Sequence, residues 1–198
     1  HFTHSKVMCW VALDRAARLA DAGEMPRRHA ARWRSEADAI RAYVETECWS
    51  SALRSYTRTA GSSDVDASLL MLPIVEYGDP RGERIAGTID AVDRLLRDGD
   101  VVYRYRADDG VPGGEGCFLN CSFWLVSALA RCGRGDEAAA LMERLIARAN
   151  DVGLYSEEID PVSGAFLGNF PQALVHLALI DAAVALSAAP GRRARRAS

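Results

Sequence analysis

The sequence predicts an all-α fold in which inner apolar helices are ringed by outer amphipathic ones, about half of an α/α toroid. Three observations predict it. Apolar helical stretches begin near Ser5, Asp66, Cys117 and Asn169, a recurrence of roughly 50 to 60 residues of the kind repeat architectures show. Each apolar stretch is followed across a short turn by an amphipathic one, so consecutive helices are antiparallel neighbours. Longer loops, around residues 50–65, 98–116 and 151–168, must then emerge together and rim one mouth, where function is expected. A half-ring leaves an open side, so further helices are expected upstream of residue 1.

The elements follow in order. Residues 5–20 (SKVMCWVALDRAARLA) are apolar on nearly all sides, the pattern of a helix buried on more than one face. Gly23 ends it and Pro26 opens the next helix. Residues 27–47 alternate charge with apolar positions at helical spacing, as an outer helix does. Residues 48–65 are irregular, with 52–59 suited to extended chain. Residues 66–75 (DASLLMLPIV) are apolar, with Pro73 as a kink or stop. An amphipathic stretch at 82–97, a long loop, an apolar stretch at 117–131 and an amphipathic one at 136–149 come next. A last apolar helix spans about residues 169–187 and reads as buried, because His176 and Asp181 interrupt it too early for a membrane span.

Composition narrows the function classes. The chain has 198 residues, 49% hydrophobic and 26% charged, which suits one globular unit over residues 1–188. A formal net charge of -3 provides no broad basic face for nucleic acid. The basic run at 191–196 follows Pro190 and reads as a disordered tail over 189–198. Cys9, Cys48, Cys117, Cys121 and Cys132 are an odd count on apolar helices with no CxxC pair, so reduced core thiols and a cytoplasmic setting are expected. The chain opens on His1 rather than Met, so a signal segment upstream stays open. Nothing in the sequence specifies an oligomer.

The chemistry-bearing stretch is GLYSEEIDP at residues 153–161. Gly153 and Pro161 punctuate its ends and set Glu157, Glu158 and Asp160 on a loop. Crowded carboxylates raise one another's pKa, as acid/base catalysis exploits; a solvated turn is the plainer reading. Arg104 lies between Tyr103 and Tyr105 in a long loop. A guanidinium framed by aromatics grips vicinal hydroxyls, or simply stacks at the surface. Glu115 serves either as a helix N-terminal charge or as a hydroxyl acceptor. Phe123 and Trp124 are adjacent on a helix, so they point different ways and one of them can face the mouth. His1 and His4 are one helical turn apart, but no third ligand converges on them to make a zinc site. No metal or organic cofactor is indicated.

In order along the chain, FT and SKVMCWVALDR in residues 2–15, DASLL at 66–70, YRY at 103–105, EGCF at 115–118, CSFWLVSAL at 121–129, the 153–161 stretch and GNFPQA at 168–173 together resemble the glycoside hydrolases of family 15, which include bacterial glucoamylases and trehalases. The resemblance covers nearly the whole chain. It implies an (α/α)6 barrel, of which this chain would be the C-terminal half, and inverting hydrolysis of terminal α-glucosidic bonds in trehalose or α-glucan oligosaccharides. It also implies that Glu157 is the general base with Glu158 and Asp160 behind it, and that Arg104 binds glucose hydroxyls. Glu115, Trp124 and Glu158 are further candidates for the sugar site. The family's general acid is a glutamate in a Trp-Glu element before the Phe-Thr block, which would fall upstream of His1. The isolated chain is therefore expected to be nearly inactive. A non-catalytic helical interaction module is the alternative reading.

Overall fold

The computed structural model describes residues 1–107, 110 and 114–189; the expected tail lies almost wholly outside them. Seven α-helices among the described residues alternate between two layers. The inner layer holds α1 (Thr3–Asp21), a 3-10 turn at Ala67–Leu70 running into the short α3 (Met71–Ile74), α5 (Leu119–Arg131) and α7 (Ala173–Ala188). The outer layer holds α2 (Ala30–Glu47), α4 (Glu83–Leu96) and α6 (Gly135–Ile146). α1 touches α3, α3 touches α5 and α5 touches α7, so the inner helices stand side by side. This is the half-ring of an (α/α)6 barrel.

α5 is its centre. Ten of its residues are buried, among them Phe123, Leu125, Val126 and Leu129. Burying a side chain such as Phe123 contributes about 1.5–3 kcal/mol. Gly23 and Gly133 close α1 and α5 in the same way: the glycine N–H reaches back to Ala20 O or Ala130 O, and the next N–H to Leu19 O or Leu129 O. Pro73 sits inside α3, which stops one residue later.

Two elements depart from the sequence expectation. α1 and α7 are each buried along one face only. Val7, Trp10, Ala17 and Ala20 of α1 are covered while Met8 and Leu19 are exposed. On α7, Val175, Ala178, Ala182 and Leu186 pack inward while Leu174, Leu177, Ile180 and Val184 are 56–61% exposed. The reason is position: as first and last members of a half-ring, each inner helix has an inner neighbour on one side only within this chain. No helix among the described residues is long and apolar enough to cross a membrane.

Short strands occupy the connections, one of them within the 52–59 stretch expected to be extended. β1 (Trp49–Ser50) pairs with β2 (Ser55–Tyr56), and β3 (Arg97–Asp98) with β4 (Val101–Val102), both antiparallel. β5 (Cys117–Phe118), β6 (Glu158–Ile159) and β7 (Phe166–Leu167) form a three-stranded antiparallel sheet that sets Phe118 beside Glu158 and Glu158 beside Leu167. This sheet ties the acidic loop to the start of α5. The five cysteines are free thiols. Cys48, Cys117 and Cys121 are buried, and burial pushes the Cys117 thiol up to about 12.

Candidate active site

One end of the half-ring holds a cavity of about 350 Å³, within the size range of small-ligand sites. Its walls come from the starts of the inner helices and from all three long loops. Phe2, just before α1, and His4 within it contribute, with Asn120, Cys121 and Trp124 from α5, and Gln172 and Val175 from the start of α7. The loops supply Arg58, then Arg104 with Tyr105, then Glu157.

Glu157 is held by its backbone on two sides. Its carbonyl accepts from Leu119 N–H at 3.1 Å and its own N–H donates to Asn169 O at 2.9 Å, extending the β5–β6–β7 ladder by one step. Just before it, Tyr155 and Ser156 are buried. The Tyr155 ring meets Phe123 edge-on at 5.4 Å, and its hydroxyl donates to Leu145 O. Glu157 Oε2 accepts from the Asn169 backbone N–H at 3.2 Å and from Asn169 Nδ2 at 2.9 Å. Gly168 makes room for this arrangement. A Cβ at that position would lie 3.0 Å from Glu157 Oε2 and 3.1 Å from its Cβ.

Arg104 faces the same cavity. Its Nη2 donates to Glu115 Oε1 at 2.6 Å and to the Tyr105 hydroxyl at 2.9 Å. Its guanidinium lies 4.7 Å from the Tyr105 ring and 4.7 Å from the Phe118 ring. Tyr103, the other aromatic neighbour in sequence, instead receives Arg106 at 4.2 Å.

The remaining candidates divide. Of the adjacent pair on α5, Trp124 lines the cavity and Phe123 is fully buried in the core. Glu115 does not cap a helix, because β5 intervenes before α5 begins; its carboxylate goes to Arg104 instead. Glu158 lies outside the cavity wall and accepts from Gly116 N–H at 2.8 Å. Burial raises the Glu158 carboxyl above its ordinary range against that bond, and the charges of Glu115 and Glu157 add to the rise. Asp160 is turned into its own loop. It accepts from the backbone N–H groups of Val162 and Ser163, which hold its carboxyl below the usual range. Asp160 is thus not behind Glu157. His4 lines the cavity while His1 packs against Tyr43, so the two histidines diverge. No cluster of three metal-binding side chains occurs among the described residues.

Several lining residues escape the sequence reading. Arg58 and Asn120 are among them and carry no motif that marks them as site residues; Asn169, which holds Glu157, falls in the GNFPQA stretch of the family resemblance. Arg58 lies just past β2, in the 52–59 stretch that suits extended chain, but nothing in the sequence marks the hairpin with β1 that aims it.

Similarity to known proteins decides the family. The profile of Glycosyl hydrolases family 15 matches residues 1–184. The chain belongs to that family. It is 48% identical over 189 residues to a trehalase of Mycobacterium tuberculosis, covering 93% of this chain and 27% of the relative. It is 43% identical over 191 residues to a trehalase of Thermoplasma acidophilum, covering 95% and 32%. This family 15 chain therefore spans about a third or less of the length of those relatives. Among solved structures, a glycosidase superposes with a TM-score of 0.79 at 22% identity, over 96% of this chain and 53% of that one. A bacterial glucoamylase complexed with acarbose superposes with a TM-score of 0.75 at 16% identity, over 94% and 33%. At these identities the two structures establish the fold of this family 15 chain.

Proposed function

We propose that the chain carries the base side of the active site of a glycosidase that hydrolyses terminal α-glucosidic bonds with inversion, with trehalose as its substrate. The observation that carries this reading is the meeting of Glu157 and Arg104 in one cavity, with Glu157 fixed by its backbone and by Asn169. Similarity to trehalases supports trehalose over α-glucan oligosaccharides.

In this reading Glu157 Oε2 stays with Asn169, and Oε1 takes a proton from a water on the far side of the sugar. The nascent hydroxide attacks the anomeric carbon as the glycosidic bond breaks. Arg104 grips hydroxyls of the glucose, positioned by Glu115 and by the rings of Tyr105 and Phe118. Trp124 offers an apolar face to the sugar ring. Glu158 anchors the loop through Gly116 rather than touching substrate. The acid that protonates the leaving oxygen must stand about 6.5–9.5 Å from the base. Asp66, the other carboxylate among the described lining residues, already accepts from Ser68 N–H at 2.7 Å. We assign the acid to a glutamate upstream of residue 1, in the Trp-Glu element the family resemblance implies.

The test uses the full reading frame and follows trehalose hydrolysis by proton NMR. Inversion at one anomeric carbon gives β-glucose from the attacked ring and α-glucose from the leaving ring. Equal initial amounts of the two anomers support the reading. Initial release of α-glucose alone means retention and contradicts it, and so does an absence of hydrolysis.

A further inference from the structure

A second guanidinium lines the cavity. Arg58 lies 4.1 Å from the Tyr105 ring and 5.5 Å from the Phe2 ring. Tyr105 therefore has both Arg58 and Arg104 against its ring, and the wall reads Phe2, Arg58, Tyr105, Arg104, Phe118.

Arg58 differs from three other partly buried arginines. The side chains of Arg97, Arg131 and Arg148 are 29%, 30% and 34% exposed, and each has a carboxylate oxygen within 3.0 Å. Arg58 is more deeply buried, at 17%, yet its nearest carboxylate contact is Nε to Asp66 Oδ2 at 3.8 Å. That is too long for a hydrogen bond, and the buried Nε has no partner. Buried donors left unsatisfied are costly, so a cation held this way in a cavity wall points to a missing ligand. Asn120, another residue of this wall, also keeps its Oδ1 buried without a partner. The charges are balanced locally, Arg58 by Asp66 and Arg104 by Glu115. Burial holds His4 below its ordinary range against the pull of Asp66, which leaves an uncharged imidazole at neutral pH. An uncharged ligand with many hydroxyls fits such a wall better than an anion does.

We propose that Arg58 is a second sugar-binding residue, donating through its Nη groups to substrate hydroxyls, while Asp66 accepts from a neighbouring one and the side-chain amide of Asn120 adds a polar contact from the same wall. This inference rests on the glycosidase reading and adds a sugar contact that the family resemblance does not supply.

The test compares Arg58→Met and Asn120→Ala with wild type in the full reading frame. Each variant is measured for trehalose KM, for inhibition by glucose and for its thermal midpoint. Losing charge-assisted hydrogen bonds predicts a rise of about tenfold in KM and in the glucose inhibition constant for Arg58→Met. Asn120→Ala is expected to move both constants the same way, about threefold or more. Arg58→Lys, which keeps the charge but not the fork, recovers part of the loss. If Arg58→Met does not fold, Asn120→Ala decides. Folded variants with unchanged KM and glucose inhibition overturn the inference and leave the glycosidase reading intact. If wild type hydrolyses no glucoside, that reading falls, and glucose titration of wild type against Arg58→Met by NMR still judges the binding residue.

Discussion

Replacing Gly168 with alanine isolates the placement of Glu157 from its chemistry. Gly168 has φ +72°, and an alanine there costs about 1 kcal/mol in backbone strain. The new Cβ would also stand 3.0 Å from Glu157 Oε2 and 3.1 Å from Glu157 Cβ. Rotating the side chain relieves the first contact but not the second, and the Glu157 backbone is fixed between Leu119 N–H and Asn169 O. Either the loop or the carboxylate must shift by several tenths of an ångström, adding about 1 kcal/mol of overpacking. A total of about 2 kcal/mol lowers Tm by about 4–8 °C for a domain of this size. A misplacement of about 1 Å costs roughly 10²-fold in rate, so a smaller shift costs about tenfold. Gly153→Ala is the control, because Gly153 has φ +81° with nothing within 4 Å of the added Cβ. It carries the strain alone, with Tm lower by about 2–4 °C and kcat unchanged. The assay is glucose release from trehalose by the full reading frame, alongside thermal melts. If Gly168→Ala behaves like Gly153→Ala, losing stability while kcat stays within about twofold, the link between this glycine and catalysis is refuted.

Other perturbations probe the frame around the site. At Gly87 on α4 an added Cβ would stand 2.3 Å from Arg54 O, so Gly87→Ala is expected to push the β1–β2 hairpin outward and cost about 1–3 kcal/mol, read by denaturant unfolding. Asp100 is forked to Arg148 through Nε at 2.9 Å and Nη2 at 2.6 Å. Burial raises the Asp100 carboxyl, but the Arg148 bonds and charge outweigh it and hold the carboxyl below 3.8. Its folded pKa is depressed, so the stability it contributes is present above 3.8 and lost as pH falls through the folded value. Asp100→Asn is expected to cost about 2 kcal/mol at pH 7, with the gap to wild type narrowing as unfolding is measured below about pH 4. Cys9 is exposed while Cys48, Cys117 and Cys121 are buried; a thiol reagent at pH 8 should modify Cys9 first, as peptide mass mapping would record.

The architecture was largely legible because apolar runs on inner helices and amphipathic runs on outer ones recur at nearly constant spacing. Burial of the end helices was not, since the all-round apolar character of α1 and α7 reports what such helices can bury, not what this chain has to cover them. The sheet was missed for another reason. Two-residue strands such as Glu158–Ile159 are too short to show alternation, and their partners come from loops far apart in sequence. Within the cavity, Arg104 and Trp124 were readable from their neighbours: a guanidinium between tyrosines and an aromatic pair on one helix. Even so, the ring paired with Arg104 beyond Tyr105 is Phe118 rather than Tyr103, which only the β5 register explains. Arg58 and Asn120 had no such local sign. Their place depends on a hairpin and on the first turn of α5, and their lack of hydrogen-bond partners exists only in three dimensions.

In the proposed mechanism the carboxylate of residue 157 deprotonates the attacking water. Substituting it with the amide of the same shape in the full reading frame, Glu157→Gln, and measuring steady-state trehalose hydrolysis tests this most directly. The expected result is a fall in kcat of about 10²–10⁴-fold with KM changed little. A variant that releases glucose at the wild-type rate would contradict it.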